Sequence, residues 1–122
     1  MRRACLTVLA FAALTGAAVA HPATEQFVPI GESPGPGVVQ GRAEAVAEPS
    51  GDGPPLVSVE NTAGEEVGVY VVTPQTRVYI DRSQEGLPNL VGTLDDVQPG
   101  RVIEVRIADP ETRAAEWIKV RR

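Results

Sequence analysis

The chain has 122 residues, a formal net charge of −5, and one Cys, one Met and one His. These counts exclude a disulfide scaffold and a Cys-rich metal site, and they leave no ordinary Ser/His or Cys/His catalytic pair. A small acidic domain with a single core fits the length.

Residues 1–20 read as a cleaved signal peptide. Arg2 and Arg3 give the basic start, Leu6 to Val19 is apolar, and Ala18-Val19-Ala20 is a small-x-small cleavage site that makes His21 the first mature residue. The apolar run has 14 residues, short of the roughly twenty that span a bilayer. Cys5 precedes the run, so it is not placed for lipid attachment. The expectation is a soluble exported protein, periplasmic or secreted, without stable membrane insertion. Losing Arg2 and Arg3 takes the net charge from −5 to −7. Such a surface repels nucleic-acid phosphates and anionic lipid, so no nucleic-acid partner is expected.

Residues 21–37 carry four prolines and three glycines and little apolar surface, which predicts a disordered linker. A docked arm using Phe27, Val28 and Ile30 is the alternative.

From residue 38 to 122 the apolar period is two, the period of strands. Residues 39–47 alternate, with small apolar side chains at odd positions and mostly polar ones at even positions. Glu48 to Pro55 is turn-rich, Leu56 to Glu60 alternates again, and Asn61 to Gly64 closes a hairpin. Val67, Val69 and Val71 line one face of the next strand and Tyr70 the other. Pro74-Gln75 interrupts it, and Thr76 to Ile80 resumes with Val78 and Ile80 inward and Arg77 and Tyr79 outward. Asp81 to Gly100 is irregular, with Leu90, Leu94 and Val97 as anchors for a short helical turn. Arg101 to Ile107 is the clearest strand, with Ile103, Val105 and Ile107 inward and Glu104 and Arg106 outward. After a loop at Ala108 to Arg113, Ala115 to Val120 is the last strand, and Trp117 is expected to cap the barrel. The fold class is therefore all-β, a small antiparallel five- to six-stranded OB-like barrel.

The order of these elements has a family likeness. A Gly-containing first strand, a hairpin and Thr76-Arg-Val-x-Ile80 are followed by Leu94-x-x-Val97-x-x-Gly100-x-Val102-x-x-Val105 and Ala115-x-x-Ile118-x-Val120. The pattern resembles the small exported OB-like bacterial domains of unknown function of the DUF3221 and DUF5666 kind. The likeness covers residues 38–120 and implies a barrel. It carries no catalytic residues. Here Gly100 is followed by Arg101 where a Gly-Asp would match the pattern.

No nucleophile–base pair or metal-ligand set stands out, so the chain is read as non-enzymatic and without a cofactor. His21 as a terminal copper chelator lacks a second imidazole. Asp52, Glu65-Glu66 and Asp95-Asp96 are oxygen donors with no calcium-loop spacing. Gly31 to Gly37 lacks the strand–helix setting and the Lys of a phosphate loop. The best ligand-face candidates are Arg77 and Tyr79, two apart on one face, extended by Tyr70. A guanidinium beside an aromatic ring grips a carboxylate or stacks on a sugar; cross-strand packing is the alternative. The expected function is a monomeric binding or accessory module engaging an envelope protein, peptide or glycan. A cation- or small-ligand sensor built on the acidic loops is the second reading.

Overall fold

The computed structural model describes residues 25–33, 35–47 and 53–122. The signal segment, its cleavage residues Ala18, Ala20 and His21, and Asp52 lie outside them. Strand β1 (Val38–Ala47) pairs antiparallel with β2 (Leu56–Glu60) on one side and with β6 (Val102–Asp109) on the other. β2 continues antiparallel to β3 (Glu66–Val71), and β6 to β7 (Ala114–Arg121). Val71 meets Ala114, which closes β3-β2-β1-β6-β7 into a five-strand barrel. The all-β, OB-like barrel expected from the alternation is the fold observed.

Two strands extend this barrel. β4 (Arg77–Asp81) adds to β7 in parallel, from Arg77 opposite Trp117 to Asp81 opposite Arg121, and the two-residue β5 (Leu90–Val91) adds to β4. The sheet is thus mixed at β7, a pairing that alternation along single strands does not reveal.

The interior is a narrow aliphatic column. Val57, Val59, Ile103, Val105, Ile118 and Val120 are fully buried, and Val97, just after the 3₁₀ turn at Leu94–Asp96, packs into the same cluster. Branched side chains pack well on a pleated surface, so a barrel this thin fills without large rings. Two glycines permit the curvature. A Cβ at Gly41 would run into the Glu60 carbonyl, and one at Gly68 into the Tyr70 ring.

Several elements differ from the expectation. Tyr70 does not share the outer face; it is 1% exposed and belongs to the core, while Val67 points outward. The vacancy at Gly68 receives the ring, and this local fit overrides the Val67-Val69-Val71 stripe. In β1 the register slips between Ala43 and Ala45, so Val46 rather than Ala45 or Ala47 packs on the core. Leu90 is exposed, and only Leu94 and Val97 anchor the irregular segment. Trp117 does not cap the barrel. It lies buried outside the core cluster, on the side of β7 opposite Ile118 and Val120.

The largest difference is the arm. Residues 25–33 do not form a free linker; they lie across the outside of β4, β7 and β6, and Ile30 is 5% exposed. The docked alternative is found in part: Ile30 is buried and Val28 half-buried, whereas Phe27 is 63% exposed. Among the described residues, no helix is long and apolar enough to cross a membrane.

Candidate functional site

Strand alternation decides which side chains meet the arm. In β4, β6 and β7 the inward positions are taken by Val78, Ile103, Val105, Ile118 and Val120. The intervening residues Arg77, Tyr79, Asp81, Glu104, Arg106, Trp117 and Lys119 therefore share the outer face. Register then sets rows across the strands. Arg106, Trp117 and Arg77 stand side by side, as do Glu104, Lys119 and Tyr79.

At the β4 end the row grips a carboxylate. Arg77 donates from Nε and Nη2 to the two oxygens of Glu25, at 2.8 and 2.9 Å. The Tyr79 hydroxyl donates to Glu25 Oε2 at 2.9 Å. Glu116 braces the fork from the side, 3.3 Å from Arg77 Nη2 and 3.7 Å from Arg106 Nε. Burial pushes the Tyr79 phenol up to about 12, aided by its bond to Glu25 and by that carboxylate's charge, against the opposing pull of Arg77. Tyr79 therefore stays a neutral donor through the physiological range.

Further along, side chains read the peptide backbone of the arm. Lys119 Nζ donates to the Val28 carbonyl at 2.7 Å and to Ser33 Oγ at 3.1 Å. Asp81 Oδ2 accepts from the Ile30 N–H at 2.8 Å, and Glu104 Oε2 from the Gly31 N–H at 2.8 Å. Ser33 Oγ donates to Glu104 Oε1. Asn89 and Gln26 exchange two hydrogen bonds, each between a side-chain amide and a backbone carbonyl.

Lys119 is fully buried, with its ammonium 4.5 Å from the centroid of the Trp117 ring. Burial pulls its pKa down, and the charges of Glu104, Glu25 and Asp81 recover only part of that fall. Burial pushes Asp81 up, yet the bonds from Ser83 and Ile30 and the charge of Arg121 carry it below its ordinary value. Buried charges persist where each has partners of opposite sign or a full set of hydrogen bonds, which this row supplies.

Of the three candidate ligand-face residues, Arg77 and Tyr79 come together as expected, and the carboxylate they hold belongs to the chain itself. Tyr70 is elsewhere, in the core, with the Arg113 guanidinium 4.8 Å from its ring centroid. Glu25, Asp81, Glu104 and Lys119 escaped the sequence reading as parts of this site. The signal available was an outward Glu104 and an isolated Val28-Pro-Ile30 within the Pro/Gly segment. Among the described residues no group of three or more His, Cys, Asp or Glu is placed to hold a metal ion.

No family model matches the chain, and comparisons with curated proteins and with solved structures find no similar one.

Proposed function

We propose that the protein is an exported, non-enzymatic binding module whose β4–β7–β6 outer face takes an extended polypeptide segment carrying a carboxylate. The observation that supports this reading is the way the face holds residues 25–33. The Arg77–Tyr79 fork grips a side-chain carboxylate, while Asp81, Glu104 and Lys119 engage main-chain N–H and C=O groups. Contacts of the second kind are indifferent to side-chain identity and suit peptide capture, with the fork adding selectivity. The arm then serves as the resident occupant, which an envelope protein or peptide displaces. A tethered occupant has an effective concentration in the millimolar range, so a partner competes by adding contacts the arm lacks.

The test uses the full chain with Glu25→Ala and Ile30→Ala to loosen the arm, and a fluorescent peptide spanning Glu25 to Ser33. Saturable binding that disappears when Arg77→Ala and Tyr79→Ala are added supports the proposal. The unaltered chain should bind the peptide more weakly, because its own arm competes. No saturable binding by the loosened chain sinks it.

A further inference from the structure

We propose a second site beside the arm: a pocket at the barrel end where β4 and β7 finish, which binds a phosphate-type oxyanion. The pocket has a volume of about 240 Å³ and is lined by Arg101, Arg121 and Arg122, with Gln98 and Asp96 on its rim and Ile80 and Val120 as its apolar wall. This size suits a small ion rather than an oligomer or a drug-sized molecule.

Three observations carry the assignment. First, the chain is acidic overall, yet three of its eleven basic residues gather around one cavity. Second, none of these three guanidiniums has a carboxylate within salt-bridge distance among the described residues. Asp81, opposite Arg121 in register and attracted to it, lies beyond salt-bridge distance and spends one hydrogen bond on each of the backbone N–H groups of Ile30 and Ser83. Third, Arg121 Nε is buried with no hydrogen-bond partner. A buried donor without an acceptor is costly, and a small turn of the guanidinium would bring it to an oxyanion oxygen in the pocket. Arg101 is held at the rim by a 3.4 Å bond from its Nη1 to the Arg121 carbonyl.

Asp96 refines the ligand class. Its Oδ2 accepts from the Thr93 N–H at 2.8 Å, so the carboxylate is fixed beside the arginines. A carboxylate there disfavours an anion with no proton to give and favours hydrogen phosphate, whose P–OH donates to it. The shared chemistry is a protonated phosphoryl group, met as the free ion or on a phosphate monoester.

The experiment follows the melting temperature of the full chain in chloride buffer at constant ionic strength while inorganic phosphate, sulfate or glycerol phosphate is raised to about 20 mM. A saturating rise with phosphate, clearly larger than with sulfate, is expected. Arg121→Gln and Arg101→Gln should each abolish it, and Asp96→Asn should bring sulfate level with phosphate. Arg122→Gln, an exposed position whose change leaves the core intact, should weaken binding several-fold even if the other variants fold poorly. Arg113→Gln, at the β6–β7 turn, should bind as the unaltered chain does. Glycerol phosphate matching inorganic phosphate shows that the site accepts a phosphate monoester, and failing to match it restricts the site to the free ion; either agrees with the site. No rise with phosphate, or the same rise in Arg101→Gln and Arg122→Gln, overturns the site. Equal stabilisation by sulfate overturns the hydrogen-phosphate assignment.

Discussion

Glu25 and Arg77 stand 52 positions apart in sequence and form a two-pronged ion pair, Nε to Oε2 at 2.8 Å and Nη2 to Oε1 at 2.9 Å. A third donor, the Tyr79 hydroxyl, completes the grip. The arm is thus tied to β4 at its far end, while Glu104 and Lys119 tie it to β6 and β7 near the point where it enters β1.

The strength of that tie is measurable by a double-mutant cycle. The Arg77 side chain is 35% exposed and that of Glu25 14%, which puts the pair between a surface ion pair and a buried one. A coupling of about 1 kcal/mol between Glu25→Ala and Arg77→Ala is expected from urea denaturation. Arg77→Lys should lose most of it, because an ammonium cannot present the fork. A coupling indistinguishable from zero would show that the arm is held without this pair.

Ile30→Ala tests whether the arm opens separately from the barrel. Its side chain is buried outside the inner core cluster, so the loss of about 2–5 kcal/mol should fall on arm docking. Hydrogen exchange should quicken at the Ile30 and Gly31 amides, which donate to Asp81 and Glu104. Amides in the β6–β7 ladder should keep their protection. Uniform quickening of both sets would mean that arm and barrel unfold as one unit.

The two strand glycines should differ in their tolerance of alanine. At Gly41 the added methyl meets the Glu60 carbonyl, which is backbone and cannot swing aside. At Gly68 it meets the Tyr70 ring, a side chain. Overpacking costs typically about 1–3 kcal/mol, and Gly41→Ala should lie at or above the top of that range with Gly68→Ala below it. Thermal denaturation of both variants ranks them.

These positions also show which parts of the fold are legible in one dimension. Ile103, Val105 and Ile107 alternate without interruption, and β6 is read correctly from them alone. β3 is misread because three valines outnumber one tyrosine, whereas the deciding fact is the space above Gly68. The arm is misread because proline and glycine dominate its composition. Its polar partners, Arg77, Asp81, Glu104 and Lys119, are 51 to 91 positions from the residues they hold. No local window contains both halves of such a contact. Arg77 and Tyr79 are legible as a carboxylate grip because both halves of the grip lie on one strand.

Asp81 sets the acid response. Its carboxyl lies below its ordinary value of 3.8 in the folded chain, so it contributes stability that is present above that value and lost as pH falls through the folded pKa. Denaturation midpoints should therefore drop below about pH 4. Asp81→Asn should be less stable at pH 6 and should flatten this part of the decline. An unchanged acid limb in Asp81→Asn would assign the loss to other carboxylates.

Tyr79 sets the alkaline response. Its folded pKa of about 12 exceeds the ordinary 10, so its contribution is complete below 10 and lost between 10 and about 12. Lys119 acts oppositely in the neighbouring range. Its lowered pKa is a cost at neutral pH that is relieved as pH rises from the lowered folded value up to the ordinary 10.5. Comparing the unaltered chain with Tyr79→Phe separates the two, since only the Tyr79 component should vanish. Titration of phenolate absorbance checks the same value directly.

β7 touches β6, β4 and β3, and it is the last of the described strands in chain order. A ribosome delivers β1, β2 and β3 first, and they make a curved hairpin sheet with no partner for its open side. Neither the ring of strands nor the seat of β4 exists until residues 114–121 have been made. Closure of the ring therefore waits for β7, with many contacts formed at long sequence separation, the condition for slow, all-or-none closure. Until β7 is made, β1, β2, β3 and β6 form an open sheet with two free edges, and β7 is the strand that turns it into a ring.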